Sequence, residues 1–343
     1  MRRWISNILK TIAVLGILCL AASILWLRWE LETPYYRAPV TEAYIEIARG
    51  TSTTQAANLL VDSGILHSRI PFIVYLRYTG MGHRIQAGQY RFFRAATPKQ
   101  IAQRLIRGDV YYRSITIPEG LTARETIELL ARNGFGNLEE MERSLLKTEW
   151  IRDLDPAARN LEGYLFPETY RFGRKIDSEK VLKTMVRQFR LKLEEILERT
   201  PLPSGWNVPR IVILASMIEK EVKAVEEGPV VASVLVNRLQ KRIPLSCDAT
   251  IIYAMKLDGT YEGNLTKADL RMESPYNTYI HLDLPPGPIS NPGASSLRAA
   301  IRPANTDYLY YVSRNNGTHQ FSRDLNSHIQ AVNRYQRSLR KTK

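Results

Sequence analysis

The chain has 343 residues and a formal net charge of +14, with 44% hydrophobic and 24% charged residues. This composition excludes an intrinsically disordered chain, and the length allows more than one domain with a buried core. In a cytoplasmic protein such a charge would favour nucleic acid as a partner. In an exported protein it would face anionic lipid headgroups or an acidic envelope polymer instead.

The N-terminal segment favours export. Residues 11–27 (TIAVLGILCLAASILWL) carry no charge, and basic residues precede them. Spans of about 17–25 apolar residues cross a bilayer, and no small-x-small cleavage site follows, so an anchor is favoured over a cleaved signal peptide. Basic residues ahead of a span hold the N-terminus in the cytoplasm. We predict a cytoplasmic N-terminus over 1–10, a single transmembrane helix over 11–28 in the inner (cytoplasmic) membrane, and a periplasmic remainder with no nucleic-acid partner.

Two segments of the chain match at a constant offset: YIEIARGTSTTQAANLLVDSG (44–64) and SITIPEGLTARETIELLARNG (114–134). Each predicts a short strand, a glycine turn and a helix opened by a capping box. Each helix should end at a glycine in the left-handed conformation. The capping boxes are Ser52 with Gln55 and Thr122 with Glu125, and the terminal glycines are Gly64 and Gly134.

The first of these βα units belongs to a small predicted domain over 38–110. After its helix, residues 70–94 indicate a second helix, a Gly-rich turn and a strand. A third helix is opened by the capping box of Thr97 and Gln100, with Pro98 at its first position. This small α/β unit resembles the LysM-like subdomain found next to certain cell-wall enzymes, which implies glycan binding. A plain spacer that lifts the rest of the chain off the membrane is the alternative.

A carboxylate pair stands in the apolar stretch RIVILASMIEKEVK (210–223). On a helical wheel Glu219 and Glu221 lie on opposite flanks of a broad apolar arc, so periodicity does not choose between them. A partly buried glutamate suits a general acid, which must hold its proton at working pH. The alternative is a surface salt bridge from Glu219 to Lys223 one helical turn later.

The C-terminal part continues with a helix ending near 237–238, another opened by Asp248 and Thr250, and a long loop over 273–313 rich in proline, tyrosine and asparagine. Loops of this length in a compact domain are usually functional or disordered. After it, two short strands flank a turn at Asn316-Gly317 and predict a hairpin. A final basic helix follows, whose tail carries Arg337, Arg340, Lys341 and Lys343.

Several motifs, in the same order, resemble the endolytic murein transglycosylases of the YceG/MltG type. They are LEGYLFPETY (161–170), LASMIEKE (214–221), NRL (237–239), SPYNTY (274–279), LPPGPISNPG (284–293), the small-residue run at 296–300, TDYLYYV (306–312) and the closing H-FS (319–322). The resemblance implies an α+β chain: the transmembrane helix, the small α/β LysM-like unit, and a mixed α+β catalytic domain over 111–343. It also implies cleavage inside nascent peptidoglycan strands with 1,6-anhydro ends, no cofactor, and a place beside peptidoglycan synthases.

The resemblance also implies roles for single residues. The first glutamate of the E-K-E run is the family's catalytic acid, which corresponds to Glu219 and leaves Glu221 without a defined role. We expect a glycan-contacting loop, a polar group near the acid, and a second wall of the site, with a turn, cap or buried hydrogen bond as the alternative for each. The residues are Tyr276, Asn277, Thr278 and Tyr279 for the loop, Asn237 for the polar group, and Glu162 and Tyr164 for the wall.

Asp248 is a further site candidate, and it lies where the chain departs from the family pattern. The chain has Ser246-Cys247-Asp248-Ala249-Thr250 where Ser-Asp-Pro-Thr is common, and IHLDLPP follows SPYNTY where an arginine is common. The shifted loop puts a site role of Asp248 in doubt. The residue could instead be the N-cap of the helix beginning near Ile251.

Three other kinds of function compete with a single-glutamate lyase. Cys247 could be a nucleophile with His281 or His319 as its base. Metal catalysis has little support, because the five histidines show no H-x-x-x-H spacing, and we expect no metal. A membrane-tethered scaffold that binds glycan without cutting it is the non-enzymatic alternative.

Overall fold

A computed structural model describes residues 2–35, 42–174 and 176–337. The chain divides into two compact units, Met1–Arg113 with Gly173–Lys175, and Ser114–Phe172 with Ile176–Lys343. Predictions that fall on residues 1, 38–41 and 338–343 lie outside the described residues; they include the start of the LysM-like unit and the basic tail at Arg340, Lys341 and Lys343.

The first unit begins with a long apolar helix, α1 (Arg2–Glu32). The segment Asn7–Glu32 of this helix has a mean hydropathy of 2.4, and the rest of the chain does not bury it. Among the described residues it is the one helix long and apolar enough to cross a membrane. A signal sequence near an N-terminus passes the same test of length and composition.

The rest of the first unit is a two-stranded antiparallel sheet covered by helices. Its elements are β1 (Ala43–Ile47), α2 (Thr53–Asp62), α3 (Arg69–Tyr78), β2 (Gly88–Phe92) and α4 (Pro98–Arg107). Ile45 of β1 faces Tyr90 of β2, and both are buried beside Phe72 and Leu105. The capping boxes that open α2 and α4 are confirmed, and both form in full.

The second unit holds the remaining helices, with β3 at its border. Its elements are β3 (Arg113–Thr116), α5 (Ala123–Arg132), α6 (Leu138–Leu145), β4 (Thr169–Phe172), α7 (Ser178–Arg199), α8 (Val208–Glu221), α9 (Gly228–Gln240), α10 (Asp248–Leu257), α11 (Ala294–Ile301), β5 (Tyr310–Ser313), β6 (His319–Ser322) and α12 (Leu325–Val332), followed by a π-helical turn, Asn333–Arg337. β3 pairs with β4, and β5 pairs with β6.

Helix α8 lies at the centre of this unit because its sequence is apolar on nearly every face. All eight residues from Ile211 to Ile218 are buried, and the helix packs against α9, α10 and α11. A helix that is apolar all round is stable only inside a core, where each large aliphatic side chain contributes about 1.5–3 kcal/mol. The polar residues Glu219, Lys220 and Glu221 follow directly, so α8 leaves the core at its last turn.

The local predictions in this unit are largely confirmed. The Thr122–Glu125 capping box opens α5, and Gly134 has a φ of 70°, as Gly64 does in the first copy. The hairpin β5–β6 forms antiparallel, with positive φ at Asn315 and Gly317. The alternative role for Asp248 was wrong, since Cys247 occupies the N-cap position and Asp248 is the first residue of α10.

Candidate active site

Glu219 lies where α8 emerges from the core. Glu219 is half-buried, and its Oε2 accepts a hydrogen bond of 2.9 Å from the backbone N–H of Gly293. The carboxylate faces a small pocket of about 150 Å³, lined by Glu119, Ile218, Glu219, Val222, Lys223, Val225, Gly228, Ser295 and Ser296. Among the described residues no ion pair joins Glu219 to Lys223, the alternative raised from the sequence.

The segment Ile289–Gly293 holds the wall of this pocket in place. Ser216 of α8 accepts from the N–H of Ile289 at 3.0 Å, and its carbonyl accepts from the hydroxyl of Ser290 at 3.1 Å. Asn291 is fully buried, and its side chain joins two other segments of the chain. Its Oδ1 accepts from the N–H of Leu165, and its Nδ2 donates to the carbonyl of Leu121, each at 3.0 Å.

A turn that follows β3 completes the site. The N–H of Gly120 donates to the carbonyl of Asn291 at 3.0 Å, and Nζ of Lys220 donates to the carbonyl of Gly120 at 3.0 Å. This turn belongs to the second copy of the repeated βα unit. It brings Glu119 to the pocket that Glu219 faces. The site therefore contains two carboxylates from segments 100 residues apart.

Glu221 has a different environment. Its Oε1 accepts from the thiol of Cys247 at 2.9 Å, and the phenol of Tyr311 is a further hydrogen-bonding partner. Burial raises the pKa of this carboxyl, and the hydrogen bonds from Cys247 and Tyr311 oppose that shift. Glu221 thus ties α8 to the start of α10 and to the hairpin, which is a structural position.

The environment of Cys247 contradicts the cysteine-nucleophile hypothesis. The residue is buried, and burial followed by the charge of Glu221 raises the pKa of the thiol well above its usual value, which disfavours the reactive thiolate. His319, one expected base, instead has Nδ1 2.7 Å from Oε2 of Glu227. His281 is exposed.

Glu162 is buried at the N-terminus of α5. Its Oε1 accepts from the N–H of Ala123 at 2.9 Å, and its Oε2 accepts from the hydroxyl of Tyr253 at 3.2 Å. Burial raises the pKa of Glu162 to about 8, and these two hydrogen bonds oppose the shift. The side chain caps the helix that follows the Glu119 turn.

Tyr164 and Asn237 also make internal contacts. Tyr164 has no exposed surface; its hydroxyl donates to Asp155 at 2.7 Å and its ring packs edge-on against Phe189. In this conformation a glycan has no atom of Tyr164 to contact. Asn237 is half-buried, and its Nδ2 donates to the carbonyls of Thr306 and Tyr308 at 2.8 and 3.0 Å, which fastens α9 to the chain ahead of the hairpin.

The loop around 274–279 divides into a buried and an outer part. Asn277 and Thr278 are buried: Asn277 binds the carbonyls of residues 270 and 272, and Thr278 accepts from the N–H of Cys247 at 3.0 Å. Tyr276 and Tyr279 are half-buried. The hydroxyl of Tyr279 donates to the exposed Asp248 at 2.5 Å, while the ring of Tyr276 lies 4.9 Å from that of Tyr253.

Sequence reasoning missed three residues of the site: Glu119, Asn291 and Gly293. Asn291 and Gly293 lie in a quoted motif, yet nothing local distinguishes them from turn residues. Glu119 sits beside the repeated glycine, and the equivalent residue of the first copy is Arg49. That difference between otherwise similar turns was the available signal. Within 2–35, 42–174 and 176–337, no three His, Cys, Asp or Glu side chains are placed to hold a metal ion.

Fold and site together define an α+β protein in which a carboxylate at the end of a buried helix faces a pocket, an arrangement that suits general acid–base chemistry. The model of the YceG-like family matches residues 45–334, and the chain belongs to that family. The resemblance inferred from the motifs is thereby confirmed.

The chain is also similar to individual proteins from other bacteria. The chain is 32% identical over 318 residues to an endolytic murein transglycosylase from Bacillus subtilis, covering 88% of this chain and 87% of that protein. It is 25% identical over 300 residues to one from Streptococcus pneumoniae, covering 78% of this chain but only 54% of the longer streptococcal protein. A crystal structure of a YceG-like protein from Listeria monocytogenes aligns with a TM-score of 0.56 at 28% identity, covering 84% of this chain and 98% of that one.

Proposed function

We propose that this protein is an endolytic murein transglycosylase, a lyase that cuts the bond between N-acetylmuramic acid and N-acetylglucosamine inside nascent peptidoglycan strands, with Glu219 as its catalytic acid. The observation that carries the assignment is the position of Glu219. Its carboxylate is at the end of a buried helix, is oriented by the N–H of Gly293, and faces a pocket. Glu221, two residues on, is already bound by Cys247.

One carboxylate is enough for a non-hydrolytic cut. Glu219 gives its proton to the oxygen that leaves C1 of the muramic acid as the C1–O bond breaks, and the sugar's own acetamido group stabilises the positive charge at C1. The resulting carboxylate then takes the proton of the C6 hydroxyl of the same sugar, whose oxygen bonds to C1. The product is a 1,6-anhydro end, Glu219 regains its proton, and no water is consumed.

Glycan contacts are assigned to the outer side chains of the 274–279 loop and to Asp248, which binds the hydroxyl of Tyr279. Tyr276, Tyr279 and Asp248 retain exposed atoms that can stack on sugar rings or bond hydroxyls. Asn277 and Thr278 support this loop from within, and Thr278 connects it through Cys247 and Glu221 to the last turn of α8. Glu162, Tyr164 and Asn237 support the surrounding elements.

The long helix α1 is consistent with a single-pass membrane anchor. We assign it to the inner membrane with the N-terminus in the cytoplasm, because basic residues precede the apolar span. The second unit then meets newly made strands on the periplasmic side, beside the synthases that make them. The small unit over 38–110 would hold glycan near the membrane.

Strand-length analysis separates this proposal from the scaffold alternative. Full-length protein in detergent is incubated with uncrosslinked glycan polymer, and the strands are resolved by electrophoresis. Wild type is expected to shorten them, and Glu219→Gln to shorten them at least about 100-fold more slowly, because general acid catalysis is typically worth 10²–10⁴-fold. Glu221→Gln is the matched control and should retain cutting. Equal strand lengths with and without wild-type protein, despite binding, would favour the scaffold.

A further inference from the structure

A second cavity, which we call the side groove, opens beside the pocket of Glu219. Val225 and Ser295 line both the pocket and the side groove, so the two cavities meet at these side chains. The side groove has a volume of about 320 Å³. Its other lining comes from the end of α7, the start of α9 and the second half of α11, and includes Ile196, Pro229, Arg298, Ala299, Ile301 and Arg302.

The pocket of Glu219 is too small to enclose the whole repeating unit of the proposed substrate. Its volume is about 150 Å³, whereas pockets that enclose small ligands typically measure about 300–1,000 Å³. The muramic acid of a nascent strand carries a peptide stem, which is joined through a lactyl group to C3 of the sugar. When C1 of that sugar is at Glu219, the stem must extend into a neighbouring space, and the side groove adjoins the pocket.

The side groove combines an apolar lining with an accessible apolar side chain at its mouth. Ile196, Ala299 and Ile301 line the groove and are buried in the core of the second unit. Val225 stands at the junction of the two cavities and keeps 58% of its surface exposed. Covering such a surface with an apolar group is favourable. The residue that begins the stem is alanine, whose methyl group is small enough to pack there.

Two arginines give the side groove its charge. Arg298 and Arg302 are exposed, line the groove and are one turn apart at the end of α11. Among the described residues neither guanidinium forms an ion pair, although Arg298 interacts at longer range with the charges of Glu119 and Glu195. Like charges at this spacing on a helix repel each other. A bound anion would relieve that repulsion.

We propose that the side groove binds the peptide stem of the muramic acid that is being cut, with Val225 against its first residue and Arg298 and Arg302 against its carboxylates. This use of the groove rests on the proposed function and narrows its substrate to strands that still carry their stems. A guanidinium suits the task because its planar N–H groups can bind both oxygens of a carboxylate. The side groove takes no part in bond cleavage and sets how tightly a strand is held.

The test compares two substrates of full-length protein in detergent: uncrosslinked strands with their stems, and the same strands after an amidase has removed the stems. Wild type is expected to have a KM about tenfold lower for strands with stems and a similar kcat, because an exposed ion pair contributes up to about fivefold in affinity and two are formed. The double variant Arg298→Gln with Arg302→Gln should bring the two KM values within about twofold of each other. Arg298→Lys with Arg302→Lys keeps both charges and should retain part of the preference.

Arg187→Gln is the matched control, because Arg187 is exposed on α7 and lies outside the lining of the side groove. It should keep the preference of wild type. Basic residues at the end of a helix also stabilise that helix, and the thermal unfolding midpoint of each variant measures this contribution separately.

Three results would overturn the proposal. Wild type could have the same KM for both substrates, or the double variant could keep the wild-type preference. In the third case the double variant raises KM by the same factor for both substrates, which would mean that the side groove holds sugar rather than peptide.

Binding without cutting separates this proposal from the proposed function. Full-length Glu219→Gln protein, with and without the two arginine-to-glutamine substitutions, is titrated with N-acetylmuramyl tripeptide. Binding about tenfold weaker with the arginine substitutions is expected. Equal binding by the two proteins, or binding by neither, would refute the stem site even where wild type cuts strands. Binding that depends on the arginines, in a protein whose wild type cuts no strands, would refute the proposed function and leave the stem site intact.

Discussion

Replacing Asn291 by alanine is expected to destabilise the second unit and to impair the site, because this one side chain joins three segments. Its Oδ1 accepts from the N–H of Leu165 and its Nδ2 donates to the carbonyl of Leu121, while α8 is bound by its neighbours Ser290 and Ile289. The side chain has almost no exposed surface, so water cannot replace these bonds.

The magnitude follows from the hydrogen bonds. Two net bonds at about 1 kcal/mol each are lost, and the buried N–H of Leu165 is left without its partner, which costs about 1–3 kcal/mol more. The carbonyl of Leu121 keeps a bond from the backbone N–H of Asn291 at 2.8 Å, so it adds little. We expect about 3–5 kcal/mol in total, or roughly 6–20 °C in the thermal midpoint of a unit of this size.

Thermal unfolding of the full-length protein in detergent, followed by circular dichroism, measures this change. Asn326→Ala is the matched control, because Asn326 is exposed on α12 and should change stability by less than about 0.5 kcal/mol. A midpoint for Asn291→Ala within about 1 °C of wild type would refute the role assigned to this side chain.

Two further predictions concern buried groups of the second unit. Cys247→Ser keeps a donor for Glu221 and should retain strand cutting in the same assay, whereas a folded but inactive variant would revive the nucleophile hypothesis. Burial raises the pKa of Glu162 from 4.5 in the unfolded chain to about 8 in the folded protein, so the folded state binds the proton more tightly. The free energy of unfolding should therefore fall as pH rises from about 4.5 to about 8, by at most about 5 kcal/mol. Glu162→Gln should reduce this slope in denaturant unfolding at pH 5 and pH 8.5, and an unchanged slope would contradict it.

Local sequence signals predicted the local structure well. The three capping boxes, the glycine helix ends and the Asn-Gly hairpin each depend on residues within a few positions of one another, so short patterns carry them. The repeat at constant offset also gave both strand-turn-helix units. The first residue of α10 was harder to predict, because Cys247 and Asp248 are both compatible with the start of a helix.

The site itself depends on contacts that periodicity does not encode. A helical wheel treats Glu219 and Glu221 alike. They differ because Cys247, 26 residues further on, binds Glu221, whereas the N–H of Gly293 binds Glu219 beside the pocket. Glu119 is 100 residues from Glu219, and its place follows from the packing of the β3 turn against Gly293. Tyr164 looked like a sugar contact in its motif, but Asp155 and Phe189 hold it in the core.

The most direct test of the central claim is mass spectrometry of purified glycan strands after incubation with full-length wild-type protein and, in parallel, with Glu219→Gln. We predict new 1,6-anhydro-muramyl ends from wild type alone, since only the glutamate can give a proton to the leaving oxygen and take one from the C6 hydroxyl. New reducing ends would indicate hydrolysis by water, and anhydro ends in equal amounts from both proteins would show that Glu219 is not the acid.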